Sequence, residues 1–294
     1  MSSVQLLRVS ENRQIARDTY FLELAGDTSD LRRPGQFVNV AVPGFYLRRP
    51  LSVCSWKPGQ LTLMYKVLGG GTDALTRISI GTELSVLSGL GNGFSLPSGV
   101  RRPLIVGGGI GVAPMLALSE FLIEEGTAPR VILGFGSANE VALVEEIEAL
   151  GISVTVATVD GSKGVQGLVT DAMAQLRGDL ASSLSDPEEA VTHELITDQQ
   201  DFSGELSLGG YDGEASTDSA SQDNSTPWDF VYACGPTPML RAVFACAQVP
   251  GQYSMEERMG CGFGACMGCT LPTAGGLKRI CKEGPVFGSE VLVW

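Results

Sequence analysis

The sequence predicts a multi-domain α+β fold. An N-terminal antiparallel β-barrel is expected over residues 1–98, a central open parallel α/β domain over 99–249, and a small C-terminal domain over 250–294. Three observations predict it. Short alternating segments separated by Gly, Pro and Asp turns run to about residue 98, strand–glycine turn–helix patterns begin at Arg101, and four of the seven cysteines fall together near the end. A chain of 294 residues is long enough for two or three such units, each with its own core.

In the first unit, TYFLEL, FVNVAV, LTLMYKV and TELSVL alternate apolar and polar residues, as half-buried strands of a small barrel do. From Arg101 the texture changes. RPLIVGGGIGVAPMLALSEFLIEEG reads as a buried strand, a glycine turn and a helix, and RVILGFG as a second strand. Helix VALVEEIEAL, strand SVTVATV, helical LVTDAMAQL and strand DFVYACG continue an open parallel sheet.

Between the last two of these, residues 180–228 turn to Ser, Asp, Glu, Gln, Gly and Thr. Too little apolar surface is present there to offset chain entropy, so a mobile surface insertion is expected, with a short amphipathic piece at 191–196 as the alternative. The net charge of −13 belongs to this stretch. Thirteen of the 33 acids lie between Asp179 and Asp229 without one Lys or Arg, leaving twenty acids against twenty bases elsewhere. The body is neutral, and neither nucleic acid nor a membrane surface is an expected partner.

The sole histidine, His193, lies inside the insertion, which argues against Ser/His/Asp hydrolysis, two-His metal sites and His relays. No apolar run approaches the ~20 residues of a membrane span. MSSVQLLRVSENRQIARD lacks the features of a signal peptide, so a cytoplasmic location with reduced thiols is expected.

The late cysteines, Cys261, Cys266, Cys269 and Cys281, are spaced C-x4-C-x2-C-x11-C, the pattern by which plant-type ferredoxins hold a 2Fe-2S cluster. Each iron takes two thiolates. A glycine-rich loop supplies three ligands and turns amides toward sulfur, and a later strand is expected to bring the fourth. A closed zinc site is the competing reading, although zinc ribbons usually pair two short CxxC knuckles. Cys54 and Cys246 are expected to be small buried apolar residues.

GGGIGVAP, Gly107 to Pro114, follows a strand and opens a helix, where backbone N–H groups and the helix dipole favour a phosphate. CGPTPM, Cys234 to Met239, stands at the carboxyl end of a later strand of the same sheet, the edge at which open α/β folds bind ligands. No cation occurs from Gly134 to Leu150 to meet a 2′-phosphate, so NAD is expected rather than NADP. In the barrel, an arginine in RRPLSVCS and the GGGT glycines can hold a pyrophosphate, and Ser52 can hydrogen-bond an isoalloxazine ring. Taken alone these are also ordinary barrel residues.

The order RPLS, GGGT, GLGNGF, GGGIGVAP, CGPTPM and four cysteines, with MEERMGCGFGACMGC at Met255 to Cys269, resembles the electron transfer subunits of class 1B dihydroorotate dehydrogenases, within the ferredoxin-reductase-like superfamily. The resemblance spans nearly the whole chain outside the insertion. It implies FAD on Arg49, Pro50, Leu51, Ser52, Met64, Tyr65 and Lys66, with Gly71 and Thr72 at its phosphates. It implies NAD across Gly107, Gly108, Gly109, Gly111 and Pro114 and across Cys234, Gly235, Pro236 and Met239, and the 2Fe-2S cluster on the four late cysteines.

The implied partner is an FMN-containing catalytic subunit that oxidises dihydroorotate to orotate in pyrimidine synthesis, in a heterotetramer of two copies of each. Electrons would pass from FMN through the cluster and FAD to NAD+, and the chain alone would not oxidise dihydroorotate. Two features depart from the family pattern: Lys66 stands where an arginine is frequent, and the acidic insertion is additional. The same motifs also permit a reductase subunit serving a ferredoxin, a hydrogenase or an oxygenase. A zinc-stabilised interaction module is the reading from another class.

Overall fold

The computed structural model describes residues 2–185 and 226–294. Strands β1 (Ser3–Ala16), β2 (Thr19–Ala25), β3 (Phe37–Val40), β4 (Arg49–Lys57) and β5 (Gln60–Lys66), helix α1 (Gly70–Thr76) and strand β6 (Glu83–Leu90) form the first unit. The six strands close an antiparallel barrel in the order β1-β2-β5-β4-β3-β6. Alternation explains the closure: Leu7, Val9, Leu22, Leu24, Val38, Val40, Leu61, Leu63, Leu84 and Val86 all turn inward and are buried.

The chain continues through β7 (Pro103–Gly108), α2 (Ala113–Glu124), β8 (Arg130–Phe135), α3 (Val144–Glu148), β9 (Val154–Thr158), β10 (Val165–Gln166), α4 (Val169–Ser185), β11 (Phe230–Cys234) and α5 (Thr237–Ala247). It ends in β12 (Gly251–Ser254), β13 (Thr270–Thr273), β14 (Gly276–Arg279), α6 (Ile280–Glu283) and β15 (Val286–Gly288). One seven-stranded sheet runs β10-β9-β8-β7-β11-β12-β15, and β13 and β14 make a separate hairpin. All pairs in the large sheet are parallel except β12 with β15, which is antiparallel.

The sheet therefore runs past residue 249, where the sequence pattern places the end of the α/β domain. Tyr253 is fully buried, and β12 pairs along β11 from Val231↔Gly251 to Cys234↔Ser254. Four and three residues are too short to announce themselves as strands in the sequence. They become strands because β11 leaves an edge to be covered.

The edges of the expected 180–228 insertion move inward at both ends. Backbone to Ser185 continues α4. Trp228 is fully buried, its indole N–H donates to the Ala247 carbonyl at 3.2 Å, and the Arg177 guanidinium lies 4.9 Å from its ring centroid. Arg177 also donates to the Cys246 and Ala247 carbonyls at 2.6 and 3.0 Å. Residues 186–225, with His193 and the alternative amphipathic piece at 191–196, lie outside the described residues. Trp228→Ala is expected to cost about 3–5 kcal/mol, the range for emptying a buried aromatic site, measurable by urea unfolding. Cys54 is fully buried, but Cys246 is only half-buried, because the last turn of α5 leaves it at the rim of its cluster.

GLGNGF joins the two halves. Gly89, Gly91 and Gly93 take φ of 68°, 79° and 72°, a left-handed course that glycine adopts without a Cβ penalty. Asn92 between them donates to the Val286 and Glu283 carbonyls at 2.7 and 3.2 Å and accepts from the Val286 N–H at 3.1 Å. Phe94 is fully buried against Tyr232, whose hydroxyl donates to the Ser95 carbonyl at 3.0 Å.

A second seam lies between β4 and α2, where the Ser55 hydroxyl meets both carboxylate oxygens of Glu120 at 3.0 and 3.1 Å. Desolvation raises the Glu120 pKa, the Ser55 hydrogen bond opposes it, and Glu124 adds to the rise. With the folded value raised, stability from the protonated form is complete below the unfolded value and is lost as pH rises through the folded one. Glu120→Gln is accordingly expected to raise the melting temperature at pH 7, the gain fading as pH falls through the raised folded value and vanishing below about 4.5.

Candidate functional site

The barrel and sheet meet in a cleft of about 240 Å³. Its barrel wall holds Pro50, Leu51 and Ser52 from β4, Met64, Tyr65 and Lys66 from β5, and Thr72 from α1. Its sheet wall holds Cys234, Ser254 and the segment Met255 to Glu257. Strand register makes the barrel wall: Phe37 pairs with Ser52, and Tyr20 with Tyr65, whose rings stack 5.5 Å apart at 17°. Tyr65 is buried and donates its hydroxyl to Asn12 at 3.0 Å, which fixes the ring in place.

One end of the cleft opens into a shallower groove lined by Arg49, Gly70, Gly71 and Thr72. The Arg49 guanidinium lies over the Phe45 ring at 5.0 Å from the centroid, and its atoms occupy the place where a Cβ on Gly71 would stand. Glycine at this position is what admits the cation. The Thr72 hydroxyl is engaged in the turn itself, accepting from the Leu68 and Gly69 N–H groups at 3.0 and 3.2 Å. Arg49 supplies the positive charge a pyrophosphate needs, already planar and supported on one face.

On the other side of β7, Gly108, Gly109, Gly134, Gly136, Pro236 and Met239 line a separate, mostly apolar pocket of about 300 Å³. Three residues of the glycine turn do not line it. Gly107, Gly111 and Pro114 are buried beneath; a Cβ on Gly111 would come within 2.6 Å of the Cys234 carbonyl and the Gly235 backbone. These glycines let β7, α2 and β11 approach, while the buried Gly108 and half-buried Gly109 line the pocket. Gly235, at φ 158°, lies under the Met239 thioether. Cys234, expected with this group, opens on the barrel-side cleft instead. No Lys or Arg lines the pocket among the described residues.

Burial pushes the Cys234 thiol well above its ordinary range, with Glu256 nearby adding to the rise, so the thiol is neutral. Desolvation likewise raises the Glu256 carboxyl.

The cysteine loop follows β12 directly. Gly262 and Gly264 take φ of 76° and 89°. The Cys266 N–H points at the Cys261 sulfur at 3.4 Å, and the Cys281 N–H at the Cys269 sulfur at 3.5 Å. Slight burial raises the Cys261 thiol, but the N–H groups of Cys266, Phe263 and Ala265 outweigh it and hold the pKa at about 6. Desolvation and the neighbouring Cys269 push Cys281 up to about 12, the response of a buried thiol that a cationic centre would relieve.

Backbone amides link the cysteines two by two, Cys266 to Cys261 and Cys281 to Cys269. A two-by-two set with inward amides suits two irons better than one zinc. Cys281, expected on a strand, lies in α6 instead, because β14 ends at Arg279. Arg279 braces the loop, donating to the Gly264 carbonyl and to Glu283, both at 2.6 Å.

Several contributors carry no signal in the sequence pattern. Glu140, from the turn after β8, pairs with Lys66 at 3.0 Å and ties the two cofactor-assigned regions together. Tyr20, Phe45 and Ile110 shape the walls. Glu256, Glu257 and Met259 line the cleft, and their one distinguishing mark is their place immediately before the first cysteine.

Comparisons with known proteins agree with this geometry. Residues 256–293 match the family model for the iron-sulfur cluster binding domain of dihydroorotate dehydrogenase B. The chain is 37% identical over 300 residues to the dihydroorotate dehydrogenase B (NAD(+)) electron transfer subunit of Bacillus caldolyticus, covering 98% of this chain and 97% of that one. It is 34% identical over 294 residues to the equivalent subunit of Shouchella clausii, covering 96% and 95%. Among solved structures it is similar to a chain of the NADH-dependent reduced ferredoxin-NADP oxidoreductase, at TM-score 0.74 and 26% identity, covering 99% of this chain and 91% of that one. The ferredoxin reductase in carbazole 1,9a-dioxygenase shares the fold at TM-score 0.60 and 17% identity, over 84% and 67%.

Proposed function

The chain belongs to the family of dihydroorotate dehydrogenase B (NAD+) electron transfer subunits, and from that premise we propose that it carries electrons from an FMN-containing catalytic subunit, through a 2Fe-2S cluster and FAD, to NAD+. One observation carries the reading. The same cleft is walled by the flavin-assigned strands β4 and β5 and by the segment Ser254 to Met259 that leads into Cys261, so the cluster loop begins where the flavin cleft ends. When bound, the nicotinamide exchanges a hydride, the flavin one or two electrons and the cluster one, which makes the set a converter between two-electron and one-electron chemistry.

The residues bind, orient and exclude. Arg49 with Gly71 would take the FAD pyrophosphate, Ser52 and the β5 backbone the ring edge, and Tyr65 stacked on Tyr20 would wall off water. Gly108 and Gly109 would admit the NAD phosphates, and Cys234, kept neutral by burial, lines the flavin-assigned cleft. The pocket without Lys or Arg suits a dinucleotide lacking a 2′-phosphate. Cys261, Cys266, Cys269 and Cys281 would ligate the irons, each sulfur pair receiving an amide N–H.

The assembly is proposed as a heterotetramer of two copies of each subunit, working in the cytoplasm in pyrimidine synthesis. Among the described residues no helix is long and apolar enough to cross a membrane. Purified anaerobically, the chain should hold FAD and two irons and reduce artificial acceptors with NADH. It should turn over dihydroorotate only when the catalytic subunit is added. Turnover by the chain alone, or a colourless zinc-containing protein, would overturn the reading.

A second reading keeps the cofactors and makes the partner a ferredoxin; the structural likeness to a ferredoxin-NADP oxidoreductase chain favours it. Co-purification from native extract separates the two. Recovery of a ferredoxin without an FMN dehydrogenase supports the second and counts against the first.

A further inference from the structure

We propose that Asn39 is a positioning residue that registers the cluster-bearing loop against the flavin-bearing strands, holding the Cys261 end of the loop at a set distance and orientation. The inference rests on the proposed function, in which the four thiols hold the cluster and the cleft holds FAD.

Asn39 is 2% exposed on β3, between the buried Val38 and Val40. Its side-chain amide donates to the Cys261 carbonyl at 3.2 Å, across 222 residues of sequence. Its carbonyl oxygen is buried without a hydrogen-bond partner among the described residues. A buried, half-satisfied amide is costly, and an apolar side chain of similar shape would fill the same space without that cost. Packing therefore does not account for an asparagine here, whereas the bond to Cys261 does.

The loop is built to receive it. Gly262 takes φ 76°, and the direction in which its Cβ would point is occupied by the Asn39 amide. Only a glycine next to the first ligand allows this approach. The strand side is equally held. Asn39 pairs with Pro50 on β4, next to Leu51 and Ser52, and Arg48 donates to the Asn39 and Ser85 carbonyls at 3.3 and 2.7 Å. One residue thus links the backbone of a cluster ligand to the strand of the flavin wall. Such outer contacts orient ligands and tune a metal centre, and small errors in them are felt in transfer between groups.

The test uses the full chain, purified anaerobically, as wild type, Asn39→Leu, Gly262→Ala and the double variant. Both single variants should keep wild-type FAD content. They should show an altered EPR spectrum and a shifted midpoint potential of the reduced cluster. Iron should be lost to a chelator about tenfold faster, the scale of one buried hydrogen bond and the carbonyl it orphans. The double variant should be non-additive, since each change removes the same contact. Wild-type EPR, potential and iron release in both single variants would overturn the proposal. So would loss of FAD in step with iron, because the amide would then serve the barrel alone. A wild-type chain lacking iron overturns this inference and the functional reading together, whereas unchanged variants of an iron-loaded chain overturn only this one.

Discussion

Cys269→Ser is expected to purify yellow instead of brown, with FAD retained, the EPR signal of the reduced cluster lost and iron reduced to background. Cys269 is buried, its sulfur receives the Cys281 N–H at 3.5 Å, and its carbonyl accepts from Ile280 at 2.9 Å. It therefore belongs to the part of the loop with least freedom to supply another donor. A serine hydroxyl is a hard ligand that gives up its proton reluctantly, and thiolate is what iron–sulfur chemistry requires. The effect should divide cleanly. NADH-dependent reduction of an artificial acceptor, which needs the flavin cleft and the nucleotide pocket but not the cysteine loop, should remain, while dihydroorotate-dependent NAD+ reduction in the assembled complex should fall to background. Loss of both activities, or retention of both with iron still bound, would contradict the arrangement of cleft and loop. The measurements are iron analysis, EPR and the two assays on one preparation.

Arg49→Ala should remove most of the FAD while sparing the cluster. The guanidinium lies over Phe45, fills the space left by Gly71, and stands at the open end of the cleft. Hydrogen bonds to charged groups contribute about 1.5–3 kcal/mol each, so losing one should weaken FAD binding roughly tenfold to a hundredfold. Arg49→Lys should fall between, because a point charge retains attraction but not the planar fork. Gly71→Ala provides an independent approach, since its methyl group would take the guanidinium's place and displace it. Retained iron in all three variants would show that the barrel and loop are still folded. Equilibrium dialysis against FAD, with iron content as the control, makes the measurement; FAD affinity within twofold of wild type in Arg49→Ala would contradict the assignment.

Much of the candidate site is legible in the amino-acid sequence. The cysteine spacing points to a cluster, RPLS and GGGT to one wall of a cleft, and the absence of cations after β8 to NAD. What the sequence does not reveal is consistent in kind. The fourth cysteine is expected on a strand but lies in a short helix, the sheet gains two strands from the cysteine-rich end, and Trp228 is an anchor and not the tail of an insertion. Glu140 facing Lys66 and Asn39 reaching Cys261 leave no mark in local sequence.

The division has a physical origin. Ligand spacing, turn glycines and hydrophobic period act over a few residues, where covalent geometry limits the options, so the sequence by itself determined the cysteine spacing, the barrel and the α/β order. Contacts between residues 39 and 261, 66 and 140, or 92 and 286 depend on how completed elements pack against one another. Many pairings satisfy the same local rules, and only the burial of shared surface selects one. Tertiary structure alone therefore decided which wall faces which, and brought the cluster loop to the mouth of the flavin cleft.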